Sequence, residues 1–432
     1  MARSDADRRV EPAAQAKGEA GLALGLRREL GPLLLMIALP LLVYYLWLCV
    51  SDPEHPGELF VPTLDDLARI PAPTWTSVIV VVSWIGFQAL MYSFLPGATV
   101  LGPHLADGSQ LRYRTNGVLA FAISMFVAGE YLLSGEATSQ YEKLGPLLTT
   151  TNLFTFGGCL LLYFWSSYRH PDEKTGQPLR DYFMGLELNP RIRNFDLKFF
   201  VESRPGLIGW LMINLCLLTS QTNVIGPDEF RTLLPIVLVI SFQALYVGDY
   251  FFNEEAILST WDIKHEKLGW MLVWGCIVWV PFVFSLQAHY LVRMPTTLSV
   301  WSASAITALN LAGYIIFRGA NSQKHRFREK PDEEIWGKPP EYIRTTQGSL
   351  LLTSGWWGLA RHINYLGDLM MALAWCLPCG FGSPLPYFYF VYFLILLIHR
   401  ERRDNAACRA KYGADWDAYC RKVPWRIVPY LY

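Results

Sequence analysis

The sequence predicts an all-α, polytopic integral membrane protein with about ten transmembrane helices and both termini in the cytoplasm. Three observations carry this reading. Hydrophobic residues make up 52% of the 432 and charged residues only 17%, whereas soluble chains carry roughly 25% charge. Apolar stretches approaching the roughly 20 residues needed to cross a hydrocarbon layer recur along the whole chain. Nearly all of the 37 Lys and Arg residues fall in the tail and on alternate loops, the distribution expected when the N-terminus is cytoplasmic. Thirty-seven acidic residues cancel them, which excludes a nucleic-acid binder working through bulk positive charge.

Residues 1–29 are polar, lack a cleavable signal pattern and read as a disordered cytoplasmic tail. Five spans are expected in 30–225, at Leu30–Val50, Trp75–Leu95, Asn116–Leu133, Asn152–Tyr168 and Gly206–Ser220. Five more are expected in 226–432, at Thr232–Phe252, Leu268–His289, Leu298–Phe317, Tyr365–Phe381 and Pro386–His399. The last two are short and joined by Cys379–Pro384, which reads as a tight turn, so a tilted or re-entrant hairpin is the alternative. The eight cysteines are scattered. Cys376 and Cys379 have CxxC spacing inside an apolar run with no second pair nearby, which reads as packing and not as a metal site.

Charge and motif-like sequence concentrate in three segments expected on the cytoplasmic side: Arg169–Arg204, Arg318–Arg361 and Arg400–Arg426. The spans are nearly charge-free, with Asp249 the main exception. That pattern favours an enzyme joining a water-soluble cofactor to a lipid-soluble substrate over a transporter with midplane polar groups. If the eighth span continues outward as a helix, Lys324 and Arg328 share a face and suit a phosphate ester; a snorkelling basic anchor is the plainer alternative. The stretch Leu352–Asp368 packs Trp357, Arg361, His362, Asn364 and Tyr365 at a membrane entrance, where rings offer stacking faces and the amide offers both donor and acceptor. Arg400, Asp404, Cys408 and Tyr412 recur every four residues and would form one helical stripe, flanked by Arg409 and Lys411. In the sixth span Tyr246 and Asp249, three residues apart, could touch on one face. Ionisable groups at membrane depth are functional candidates by default.

At these clusters the sequence resembles the sterol reductase family, which includes delta-14 sterol reductases, the membrane domain of lamin B receptor and 7-dehydrocholesterol reductases. The resembling stretches are Gly185–Arg191, Phe195–Phe200, Arg204–Trp210, Leu245–Asp249, Phe284–Gln287, Phe317–Lys324, Ser354–Gly358, Arg361–Asp368 and the C-terminal Lys411-Tyr-Gly…Trp416…Tyr419…Val423-Pro-Trp-Arg. Gly185–Arg191, Gly319–Lys324 and Met371–Trp375 resemble the delta-14 branch more closely. Gly185-Leu and Arg361-His-Ile depart from common delta-14 forms, so reduction of the C7 double bond stays an alternative.

The resemblance implies NADPH as cofactor, a sterol entering from the bilayer and no metal. It implies a cofactor pocket built from Lys324, Arg328, Leu352, Trp357, Asn364, Tyr365, Arg400, Asp404, Cys408, Arg409, Lys411, Tyr412 and Tyr419. An isolated alkene accepts hydride poorly and must first be protonated. Proton delivery to C15 would leave a tertiary cation at C14 for hydride to quench, with Tyr246 the expected acid, polarised through Asp249, and Glu254 in reserve. The runner-up is a methyltransferase: Arg361-His-x-x-Tyr365 and the C-terminus also resemble isoprenylcysteine methyltransferases. S-adenosylmethionine carries no phosphate, which would leave Lys324 and Arg328 without a purpose.

Overall fold

The computed structural model describes residues 29–105, 108–133, 143–226 and 229–432. The tail read as disordered lies, but for Glu29, outside them. A helix occupies each of the ten predicted stretches. Among the described residues seven helices are long and apolar enough to cross a membrane: α1 (Glu29–Ser51), α2 (Trp75–Phe94), α4 (Leu144–Arg169), α5 within Leu197–Ile225, α6 (Phe230–Phe252), α7 (Trp270–Arg293) and α8 (Val300–Glu329). Between α2 and α4 lies α3 (Gly117–Leu133), whose apolar part is shorter. Short too is α9 (Ile363–Cys376), while α10 (Phe388–Tyr412) is apolar only in its first half. Large apolar side chains stand exposed on these helices, among them Leu34, Ile37 and Leu41 on α1 and Trp301 and Ile315 on α8. Such surfaces match lipid tails and not water.

Two corrections to the predicted elements matter. The chain is mostly helical, as expected, but among the described residues three unpredicted two-stranded antiparallel hairpins occur: β1 (Ala98–His104) with β2 (Gln110–Thr115), β3 (Arg191–Ile192) with β4 (Phe195–Asp196), and β5 (Tyr342–Arg344) with β6 (Leu350–Leu352). In β2 the alternation of Leu111 and Tyr113 with Arg112 and Arg114 buries Tyr113 at 2% exposure, the period-two pattern of a half-buried strand. The helices also overrun the hydropathy boundaries, because apolar runs report hydrocarbon contact and not the end of hydrogen bonding. Helix α8 continues twelve residues beyond Phe317 to Glu329 and stops where Pro331 disfavours helix at Lys330. Helix α10 continues past His399 to Tyr412, where Gly413 at φ 54° caps it, a position that favours glycine.

The chain resolves into two compact units. The first is mainly Leu59–Ser220 with Ala244–Ser285 and the N-terminal helix. Its helices are joined by small polar pairs: Ser77 Oγ lies 2.6 Å from Thr150 Oγ1, Gln88 donates to Ser124 at 2.8 Å, and the Trp274 indole donates to Asn152 at 2.9 Å. In an apolar surrounding, where hydrocarbon gives helices no reason to prefer one another, such contacts fix which faces meet. Helix α7 carries a π turn at Gly275–Trp279 ahead of Pro281, whose missing N–H breaks the regular ladder.

The second unit is mainly Leu286–Tyr432. Helices α8 and α9 approach closely at Gly313 and Gly367: a Cβ on Gly313 would sit 2.7 Å from the Gly367 carbonyl oxygen. Only hydrogen fits at such a crossing. The β5–β6 hairpin and α11 (Ala414–Lys422) complete this unit, and Arg426 pairs with the fully buried Glu401 at 3.1 Å to tie the C-terminus to α10.

Candidate functional site

Most of the expected cofactor residues converge in the second unit, at the charged end of α8. Because α8 continues outward, Lys324 and Arg328 do share its face. The Lys324 ammonium lies 3.8 Å from the centroid of the Trp357 ring, a cation–π contact with the best of the aromatic partners. Trp357 is held by its own hydrogen bond, indole N–H to the Ala320 carbonyl at 2.8 Å, and packs with Leu352, Phe327 and Ile363. Leu352 thus belongs to the same buried cluster as the indole. Among the described residues Lys324, Arg328 and Arg400 have no ion-pair partner within 4 Å. Three cations without a close ion pair make this end of the unit attractive to an anion.

Helix α9 supplies the polar middle. Asn364 Nδ2 donates weakly to Asn321 at 3.4 Å, and its Oδ1 is buried without a partner. The Tyr365 hydroxyl donates to Asp404 at 3.4 Å, linking α9 to α10, and its ring stacks on His362 at 4.8 Å. Burial, reinforced by Lys324, Arg361 and Arg400, pushes the His362 imidazole down to about 3. It stays neutral beside these cations.

On α10, Asp404, Cys408 and Tyr412 form a half-buried stripe between exposed neighbours, as the four-residue spacing requires, with Arg400 exposed above them. Cys408 and Tyr412 pack against Trp416, Tyr419 and Val423. Burial pushes both the Cys408 thiol and the Tyr419 phenol up, so each remains neutral. The two flanking cations have protein partners of their own. Arg409 pairs with Asp417 at 3.0 Å, and Lys411 Nζ lies 4.9 Å from the Tyr412 ring centroid.

Residues 28–432 match the sequence model of the Ergosterol biosynthesis ERG4/ERG24 family. The chain belongs to this family. Among its relatives, the Delta(14)-sterol reductase of Methylotuvimicrobium alcaliphilum is 54% identical over 93% of this chain and 94% of its own. The Delta(14)-sterol reductase of Arabidopsis thaliana is 44% identical over 83% and 97%. That of Dictyostelium discoideum is 39% identical over 93% and 90%.

Tyr246 and Asp249 lie near the C-terminal end of α6, both half-buried. Asn253 Nδ2 donates to the Asp249 carboxylate at 3.2 Å and to its carbonyl at 2.9 Å, which orients the acid one turn from Tyr246. Glu254, the reserve acid, has another occupation. One carboxylate oxygen pairs with Arg204, fully buried, and the other accepts from the Gly117 amide at 2.7 Å. Both of its oxygens are thus engaged within the first unit.

One residue outside the expected cofactor set stands out in the same unit. Arg361 is 6% exposed, its Nε is buried without a partner, and it has no ion pair among the described residues. A buried guanidinium without a carboxylate is costly. Its place three residues before Asn364 was the available signal.

Proposed function

We propose that this chain is a sterol reductase that saturates the C14=C15 double bond of a sterol intermediate, using NADPH and a proton delivered by the protein. The observation that carries the reading is the Lys324 ammonium seated on Trp357 without an ion-pair partner, in a family whose compared members are named Delta(14)-sterol reductase.

The residues fit a phosphorylated dinucleotide. Lys324 and Arg328 offer the point charge and forked donors that a 2′-phosphate needs. Arg400 offers a further cation for the pyrophosphate. The unpartnered Asn364 oxygen suits an amide N–H donor, such as a carboxamide. Bound NADPH supplies the hydride. Trp357 and Tyr365 wall the pocket with rings, Asp404 fixes the Tyr365 hydroxyl, and neutral Cys408 and Tyr419 add surface without charge.

The chain's own chemical contribution is the proton. A phenol in an apolar setting is a serviceable general acid when a neighbouring carboxylate polarises it. Tyr246 donates to C15, Asp249 polarises its hydroxyl, and Asn253 positions Asp249. The cationic mouth faces the cytoplasm, where the positive-inside rule puts basic segments, and the ten helices span the membrane.

The test is an anaerobic assay of purified protein with NADPH and a sterol 8,14-diene, with products read by mass. Formation of the 14-saturated sterol supports the proposal. Turnover of a Δ7 sterol alone would move the reaction to the other branch, and methyl transfer from S-adenosylmethionine would replace it.

A further inference from the structure

Helix α8 presents a second face that the reductase reading does not use. Gly319, Gln323, Arg326 and Phe327 line a cavity of about 290 Å³, closed by Glu333, Glu334, Ile335, Trp336 and Trp356. The two consecutive tryptophans of Gly355–Gly358 serve different pockets. Trp357 meets Lys324, whereas Trp356 meets Trp336 at 5.4 Å between ring centroids with the planes 80° apart. Trp356 is fixed there by its backbone amide, which donates to Gln323 Oε1 at 2.9 Å.

Two indoles at right angles make the corner of an aromatic cage. Its polar groups have a definite sign. Arg326 is tied to Glu333 at 3.8 Å, while Glu334 has no ion-pair partner among the described residues. The residues lining this corner are therefore electron-rich and carry one surplus negative charge.

Trp336 is held there at a cost. It sits at φ 53°, followed by Gly337 at φ 72°, in a tight turn closed by paired backbone hydrogen bonds between Ile335 and Lys338 at 2.8 and 3.2 Å. Turns with both central residues left-handed favour Asn-Gly, and a bulky residue in that region is strained. Core burial does not offset the strain, because Trp336 is 62% exposed. An indole displayed in this way, over a cavity with an acidic wall, is the arrangement that binds a cation by its π face.

We infer that this cavity binds a quaternary ammonium group. Its volume falls at the lower limit for small-molecule pockets, roughly 300 Å³, which admits a trimethylammonium head but neither a dinucleotide nor a sterol. It lies at the charged end of a candidate membrane-crossing helix, the depth of lipid head groups. A choline-type phospholipid and a free small quaternary amine share this chemistry.

The test uses the full chain in maltoside detergent with fluorine-labelled tryptophan, the Trp336 signal being assigned with Trp336→Phe, which keeps a ring. Tetramethylammonium chloride should shift the Trp336 and Trp356 resonances saturably. Neopentyl alcohol, its neutral near-isostere, should not. Glu334→Gln, on the surface and harmless to folding, should raise the dissociation constant about fivefold, on the scale of one exposed cation–π or charge interaction. An equal response to the neutral probe, no saturable shift, or unchanged affinity in Glu334→Gln would each overturn the inference. Nanodiscs separate the two sources. A shift already present in phosphatidylcholine discs and absent in phosphatidylglycerol discs identifies the lipid head group, and a shift that appears in both only on adding the salt identifies a free amine.

Discussion

The Lys324 ammonium rests 3.8 Å from the centre of the Trp357 ring and has no ion-pair partner within 4 Å among the described residues. A cation seated on an aromatic face is left available to a third party. Arg328, one turn further along α8 and exposed, lies within the field of the same charge. Together they are the part of the site best suited to a dianionic phosphate.

Replacing both by Ala should therefore raise the NADPH concentration needed for half-maximal rate steeply, by about 10- to 100-fold for each charge-assisted hydrogen bond removed, and leave NADH use nearly unchanged. Steady-state kinetics with both cofactors checks this. Equal losses for the two would assign the pair to the pyrophosphate or to membrane anchoring.

The neutral, half-buried His362 makes stability depend on pH. Its folded value is pushed down to about 3, while an unfolded histidine titrates near 6.5. Between these values the unfolded chain takes up the proton and the folded chain does not. Stability is thus complete above about pH 6.5 and falls as the pH drops, by about 1.4 kcal/mol per pH unit. The melting temperature should decline from pH 7 to pH 5, and His362→Gln should flatten that part of the decline. An unchanged slope in the variant would mean that other groups set it.

The buried pair of Arg204 and Glu254 should behave as structure. Glu254→Gln leaves the guanidinium uncompensated and should destabilise by about 3–5 kcal/mol. Replacing both partners with apolar residues of similar volume should recover much of the loss. Turnover per folded molecule should survive in either case. A catalytic deficit with a normal melting temperature would return Glu254 to the list of acids.

Tyr246→Phe removes one hydroxyl and keeps the ring. Cofactor binding should persist while single-turnover rate falls by about 10²- to 10⁴-fold, the contribution of a general acid. Asp249→Asn should also slow the chemical step. A Tyr246→Phe protein with lower melting temperature and normal single-turnover rate would reduce the hydroxyl to a packing role.

The parts of this molecule that were legible in its sequence are those set by composition and spacing. Hydropathy located the ten apolar helices, though not short polar ones such as α11, and the four-residue recurrence of Asp404, Cys408 and Tyr412 emerges as the half-buried stripe of α10. Partnership was not legible. Nothing in the order of residues says that Glu254 meets Arg204, some fifty positions away, or that Arg409 meets Asp417. Those pairings depend on tertiary packing. The hairpin at Ala98–Thr115 escaped for a different reason: its alternation is short, interrupted by Gly102 and Pro103, and surrounded by stronger helical signals. The turn at Trp336 escaped because nothing in its residue type predicts a left-handed backbone.

The most direct test of the central claim follows the two hydrogens separately. The reductase is run once with NADPH deuterated at the transferred C4 position in ordinary water, and once with unlabelled NADPH in deuterated water. The sterol product is then mapped by deuterium NMR. The account predicts deuterium at C14 from the cofactor in the first reaction and at C15 from solvent in the second. Label from the cofactor at C15 or at C7, or none in the sterol, would contradict it.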